Sequence, residues 1–110
     1  MIHETAIVDP QAILGVEVLV GPYAVVEAGA TVGDGCESQA HAVVKHGSEL
    51  GPGCLLGHFS VIGGDPQMSG FDRDLETGVR IGAGSSIREN VTVHRSAFEG
   101  KNTLVGERAL

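Results

Sequence analysis

The sequence predicts an all-β fold, a parallel β-helix of hexapeptide repeats wound as a triangular prism with one loop extruded from its wall. Three observations carry this. Counting in sixes from Ile2 meets Val8, Leu14, Val20, Val26, Val32, Ser38, Val44, Leu50, Leu56 and Ile62, aliphatic at every place except Ser38. Two residues before each of these stands a residue that is nearly always small: Ala6, Ala12, Val18, Ala24, Ala30, Cys36, Ala42, Ser48, Cys54 and Ser60. Glycine often follows the aliphatic residue, at Gly15, Gly21, Gly33, Gly51, Gly57 and Gly63. Of the 19 Ile, Leu and Val residues up to Ile62, 17 fall in two of the six positions, which chance does not produce.

A period of six is incompatible with an α-helix, whose apolar stripe returns every three or four residues. Within each repeat the alternation is that of a strand: small residue inward, next residue outward, large aliphatic inward. The remaining positions, rich in Gly, Pro, Asp and Glu, supply a turn. Three such strands close a coil of about 18 residues, and coils stack at the strand spacing of about 4.8 Å. Hexapeptide solenoids wind left-handed, an exception to the right-handed crossover rule; the spacing itself does not reveal the hand. An open sandwich of short strands is the alternative, but its strands recur at looser intervals of about 8–12 residues.

Composition fits the same picture. The chain of 110 residues is enough for one domain, residues 1–110, with a modest core. Seventeen glycines, no tryptophan and few aromatic rings suit tight turns around small and aliphatic interiors. A formal charge of −7 leaves no basic stripe for a nucleic-acid backbone. Met1-Ile2-His3-Glu4 is not the start of a signal peptide and no segment reaches transmembrane length, so the expected compartment is the cytoplasm. Cys36 and Cys54, 18 apart, are expected to stack as buried thiols.

Residues 18 apart share a face, so the outward position before each aliphatic sorts into three columns. One reads Ile7, Val25, Val43 and Val61; a second reads Met1, Leu19, Glu37 and Leu55; the third reads Ile13, Thr31 and Glu49. An unbroken outward aliphatic column marks an interface. Two largely apolar faces beside a more polar one suit a homotrimer, in which each subunit meets two neighbours. A dimer also satisfies this pattern.

The sixes divide the domain into regular coils at 1–63, an inserted loop at 64–80 and resumed coils at 81–110, where Ile81, Ile87, Val93 and Val105 set a new register with a gap at Glu99. Such loops often shape binding sites, and Gln67, Asp72, Arg73 and Asp74 are polar groups able to reach a ligand or a neighbouring subunit. His41 and His46 have the ligand spacing of β-helical carbonic anhydrases, but no third histidine stands near residues 5, 10, 77 or 82, and no metal is expected. His3 and His58 are expected at exposed turns. His94 takes the usual glycine position just after the loop, which makes it the histidine expected in a cleft. No nucleophile elbow, phosphate loop or nucleotide-binding glycine fingerprint is present.

Three segments carry a more specific likeness. Ile2-His3-Glu4-Thr5-Ala6-Ile7-Val8 with Val20-Gly21-Pro22-Tyr23, the loop Ile62-Gly63-Gly64-Asp65-Pro66-Gln67, and the strand Ile87-Arg88-Glu89-Asn90-Val91-Thr92-Val93-His94-Arg95 follow one another in order. Together they resemble the amino-terminal portion of UDP-N-acetylglucosamine O-acyltransferases. That resemblance implies a homotrimeric cytoplasmic enzyme of lipid A biosynthesis, transferring an acyl group from acyl carrier protein to the 3-hydroxyl of UDP-N-acetylglucosamine. It implies a histidine as general base in a cleft between subunits, a backbone amide on the developing oxyanion, and no metal or organic cofactor beyond the carrier's phosphopantetheine arm. It places the base beyond Leu110, so no catalytic residue is expected within this sequence, which reads as a fragment inactive alone. Family loops usually continue Gln-Asp-Leu-Lys, whereas Gln67 is followed here by Met68-Ser69-Gly70-Phe71. Gln67 and His94 are therefore the expected substrate-binding residues, and whether Asp72 or Asp74 replaces the loop aspartate stays open. A non-catalytic scaffold, an acyltransferase acting on a related amino sugar, and an acetyl-CoA-dependent hexapeptide transferase are the competing readings.

Overall fold

The computed structural model covers Met1–Leu110 and is a left-handed parallel β-helix. Its strands are β1 (Ile7–Val8), β2 (Ile13–Leu14), β3 (Leu19–Val20), β4 (Val25–Val26), β5 (Thr31–Val32), β6 (Glu37–Ser38), β7 (Val43–Val44), β8 (Ser48–Leu50), β9 (Leu55–Leu56), β10 (Val61–Gly64), β11 (Gly78–Ile81), β12 (Ser86–Ile87), β13 (Thr92–His94) and β14 (Asn102–Val105). Every third strand pairs in parallel. The first wall is β1-β4-β7-β10-β13, the second is β2-β5-β8-β11-β14, and the third is β3-β6-β9-β12. No helix is long and apolar enough to cross a membrane.

Register follows the count of eighteen through the lower coils. Ile7 stands beneath Val25, Val25 beneath Val43, and Val43 beneath Val61. Leu19, Glu37 and Leu55 align on the third wall, and Ile13, Thr31 and Glu49 on the second. The inward residues close the prism: Val26, Val44, Leu56, Ile62 and Val79 are shut off from solvent beside Ala24, Ala30 and Ala42. Each buried Val, Leu or Ile contributes about 1.5–3 kcal/mol of transfer free energy, so the aliphatic columns are the main source of cohesion. Cys36 and Cys54 lie in this interior as free thiols, their Sγ atoms donating to the Gly51 and Gly82 carbonyls at 3.1 and 3.2 Å. Burial pushes the Cys36 thiol above its ordinary value, which keeps it protonated.

Beyond Ile62 the geometry sharpens what the sixes indicate. The count places the loop at 64–80, but β10 runs through Gly64 and β11 starts at Gly78, leaving 65–77 outside the strands. The difference arises because the loop's two ends are pinned by close main-chain packing that no hydrophobic periodicity reports. Gly63 has φ of +94°, and a side chain there would strike the Ser48 hydroxyl; one at Gly78 would strike the Gly47 carbonyl. The chain then rejoins the second wall, with Val79 over Ser48 and Ile81 over Leu50. A second, shorter extrusion at 95–101 accounts for the gap at Glu99, since Val79 pairs with Thr103 rather than with a residue 18 away. Both extrusions leave from the corner joining the first wall to the second.

At the corner joining the third wall to the first, Tyr23, His41 and Phe59 are 18 apart and have φ of 57°, 63° and 63°. A left-handed conformation costs a non-glycine residue about 1–2 kcal/mol. Their rings offset part of that by stacking, with centroids 5.3 Å apart from Tyr23 to His41 and 4.8 Å from His41 to Phe59. Parallel ring pairs contribute about 0.5–1.5 kcal/mol beyond burial.

One interior place is left unsatisfied. Ser38, the single break in the aliphatic series, sits between Val20 and Leu56 and its hydroxyl has no hydrogen-bond partner. A buried unpaired hydroxyl costs about 1–3 kcal/mol. Replacing it as Ser38→Ala is expected to stabilise the coil by about 1 kcal/mol, read as a higher urea midpoint with unchanged slope. A lower midpoint would show that the hydroxyl is satisfied in solution.

Candidate functional site

The two extrusions meet at one corner of the prism, and one side chain, that of Arg95, gathers the longer of them against the wall. Arg95 follows β13 directly, and its amide donates to the Gly64 carbonyl at 2.8 Å. Its side chain is only 11% exposed. The guanidinium donates through Nε to Asp65 Oδ1 at 2.9 Å, through Nη1 to the Leu75 carbonyl at 2.7 Å, and through Nη2 to the Arg73 carbonyl at 2.8 Å. Nη1 also stands 3.4 Å from Thr77 Oγ1, and the Phe71 ring covers the group with its centroid 4.8 Å away. Asp65 accepts a second bond from Arg73 Nε at 2.9 Å. The shorter extrusion braces the longer one: the Glu76 amide donates to Glu99 Oε2 at 2.9 Å and the Gly100 amide to the Glu76 carbonyl at 3.0 Å.

Between this loop and the corner of the coils below lies a polar cleft of about 630 Å³. Its floor is Glu27, Lys45 and His46; Asp65, Arg73 and Arg95 stand on its loop side. Lys45 Nζ pairs with Glu27 Oε2 at 3.1 Å, and the other Glu27 oxygen accepts the His46 amide at 3.1 Å. His46 Nδ1 lies 3.0 Å from the Ala28 carbonyl. A carbonyl only accepts, so Nδ1 carries a proton, and Nε2 is the free acceptor of the neutral ring. The lining mixes both charges and contains one hydrophobic residue, Leu75. Such a surface recognises a polar ligand by several directed hydrogen bonds rather than by apolar burial.

The residues singled out in the sequence are distributed unevenly around this cleft. Gln67 is exposed on the loop, two positions beyond Asp65, and Asp72 is exposed as well. Asp74 lines the cleft. His94 is half-buried in β13, opposite Gly64, and its carbonyl accepts from Thr103 Oγ1 at 2.7 Å. Its neighbour Arg95, not His94, lines the cleft. His46 is the histidine that does so, and its only sequence signal is its place one coil above Ala28, at the corner where the loop departs. His41 stands at a different corner, stacked between Tyr23 and Phe59. No group of three His, Cys, Asp or Glu side chains converges as metal ligands. His58 is exposed, while His3 is half-buried because Nδ1 contacts Thr5 Oγ1 at 2.9 Å.

Partial burial tends to raise the Asp65 carboxyl, but the hydrogen bond and charge of Arg95, helped by Arg73, outweigh it and hold the group below its ordinary value. A lowered native value stabilises the docked loop above the unfolded carboxylate range, about 3.9, and is lost as pH falls through the lowered value. The Arg95 Nε–H resonance in ¹H–¹⁵N spectra is therefore expected to titrate with a midpoint below the ordinary carboxylate range. A midpoint above the ordinary carboxylate range would contradict the ion triad. Asp65→Asn is expected to produce the acid form of the spectrum at neutral pH.

No family model matches the chain. Curated relatives do. The acyl-acyl-carrier-protein–UDP-N-acetylglucosamine O-acyltransferase of Thermodesulfovibrio yellowstonii is 36% identical over 107 residues, which cover 96% of this chain and 41% of that protein. Among solved structures, LpxA, a UDP-N-acetylglucosamine acyltransferase from Bacteroides fragilis, superposes with a TM-score of 0.90 at 33% identity, over 97% of this chain and 42% of that one. LpxA from Acinetobacter baumannii gives 0.89 at 30% identity, over 96% of this chain and 41% of that one. The chain thus spans about two fifths of the length of the curated relatives it matches. In sequence and in fold the chain is a relative of the UDP-N-acetylglucosamine O-acyltransferases, corresponding to one part of their length.

Proposed function

We propose that these residues form the wall and loop of the acceptor site in an enzyme that moves an acyl group from acyl carrier protein to the 3-hydroxyl of UDP-N-acetylglucosamine, opening lipid A biosynthesis in the cytoplasm. The observation that carries this reading is the likeness itself, which runs through 96% of the chain without leaving the loop or the strand after it. In the transfer, a general base takes the sugar hydroxyl's proton while the oxygen attacks the thioester carbonyl. A backbone amide holds the resulting oxyanion, and the carbon–sulfur bond breaks to release the carrier thiol with the proton. In this proposal the base is a histidine outside residues 1–110, and the part played here is recognition.

Gln67 and His94 are the side chains proposed to contact the sugar nucleotide. The Gln67 amide offers a donor and an acceptor from an exposed loop position. His94 sits where β13 meets the loop corner. Assembly is proposed as a homotrimer through the column of Ile7, Val25, Val43 and Val61, which faces outward in continuous register along the first wall. Ile7 is 66% exposed in the isolated chain, an apolar surface that a neighbouring subunit would cover.

The full protein, given acyl carrier protein thioester and UDP-N-acetylglucosamine, is expected to yield the acylated sugar nucleotide by mass spectrometry. Gln67→Ala is expected to lower kcat/KM about 10-fold, the scale of one lost hydrogen bond. Absence of product from both the hydroxyl and the amino form of the sugar would overturn the transfer reading in favour of a scaffold. Val43→Asp is expected to convert the trimer to monomers in light scattering, and an unchanged trimer would refute this placement of the interface.

A further inference from the structure

We infer that Arg95 is the positioning residue of this site: its guanidinium sets where the Gln67 loop stands over the corner of the coils. The inference rests on the reading of Gln67 as a substrate contact. Residues 65–77 have little main-chain structure of their own, with local bonds from the Met68 amide to Pro66 and from the Leu75 amide to Asp72. Arg95 supplies what they lack. It bonds the start of the loop at Asp65, the middle at Arg73 and the end at Leu75, and it packs under Phe71. One rigid planar group therefore fixes three points of the loop to one point of the wall.

The wall end of this link does not yield. Arg95 continues β13, which is paired with β10, and its own amide is held by Gly64. The ligand end is free: Gln67 is exposed and stands two residues from the Asp65 grip. The position of Gln67 is thus inherited from Arg95 through Asp65. Four of the five guanidinium N–H donors are engaged by loop acceptors, so the main work of Arg95 is done through the loop. Lysine would not replace it, because an ammonium presents its donors from one point and cannot span acceptors spread around a planar fork. Arg73, 83% exposed at the side chain, shares Asp65 without this enclosure and is not the anchor.

The test uses the full-length protein with Arg95→Lys, Arg95→Met, Gln67→Ala and the double variant Arg95→Met/Gln67→Ala. Hydrogen exchange by mass spectrometry follows 65–77 against the coils at 19–63, beside thermal melting and the separate KM and kcat for UDP-N-acetylglucosamine. Both Arg95 variants are expected to speed exchange at the loop's bonded amides, those of Met68, Asp74, Leu75 and Glu76, about 10-fold or more while coil exchange and melting stay near wild type. KM is expected to rise about 10–100-fold with a smaller change in kcat, the scale of a ligand group displaced by about an ångström. The double variant is expected to be no worse than Arg95→Met, because a released loop no longer presents Gln67.

Wild-type loop exchange in Arg95→Met, rescue by lysine, or fully multiplicative effects in the double variant would each overturn the inference. So would coil exchange and melting that change as much as the loop, since that pattern marks a general structural role. If the wild type transfers no acyl group to any sugar nucleotide, the functional reading falls, and the exchange comparison still decides whether Arg95 sets the loop.

Discussion

Every feature of this molecule answers to one constraint: after three strands the chain must return to the same place, one strand spacing higher. In the lower coils this takes 18 residues, as the pairing of Val25 with Val43 and of Val43 with Val61 records. The parallel bonds between coils leave no freedom along a wall, because a slip of one residue would turn every inward aliphatic outward. Extra residues are therefore admitted only where pairing is interrupted, at a corner. Both extrusions obey this. They leave the corner between the first and second walls, and after each the chain re-enters the second wall in register.

Stacking makes corners additive. Whatever one coil places at a corner, the next coil places directly above, so side chains there form ladders. Tyr23, His41 and Phe59 use this to offset an unfavourable backbone conformation with ring contacts. The opposite use occurs at the loop corner, where Glu27 and Lys45 pair across coils and form a charged floor under the extruded segment. A wall that cannot shift and a loop held from it by Arg95 together make a cleft of defined shape from a chain with no helix and no large core. Charge-assisted bonds on a mostly enclosed guanidinium hold better than exposed pairs such as Arg80 with Glu49.

The fold was legible in the sequence because its cause is periodic. Inward residues recur every six, so Val26, Val44 and Leu56 declare the walls, and the stacking of Ile7, Val25, Val43 and Val61 follows from arithmetic. The site was legible only in outline, because its determinants occur once. Nothing in the spacing of Asp65, Arg73 and Arg95 signals that they form a triad, since the loop between them folds back by local turns. His94 stands out in the sequence by occupying a glycine position, yet Arg95 is the one that lines the cleft. The spacing of His46 from His41 suggests a metal ligand, although its place over Ala28 at the loop corner is readable from the count of eighteen. The aromatic ladder was equally readable, at Tyr23, His41 and Phe59, but turn positions carry no hydrophobic pattern and so attract no count. Which wall continues after the loop was beyond the sequence, because 65–77 adds a length that is not a multiple of six.

Nearest-neighbour stacking also explains how this chain can match only about two fifths of its relatives and still superpose at a TM-score of 0.90. In a solenoid each coil contacts chiefly the coil above and the coil below, so its conformation is set locally and transfers between proteins coil by coil. Chemistry does not transfer this way. An acyl transfer needs a base, an oxyanion donor and two bound substrates at one point, and a solenoid gathers such groups only where coils, loops and neighbouring subunits converge. In this chain coils and loops converge at the loop corner, with its polar cleft and the mostly enclosed guanidinium of Arg95. Similarity of walls therefore follows from the fold along the whole chain, whereas the groups that occur only once lie at this corner, where the extruded segment departs and Arg95 holds it.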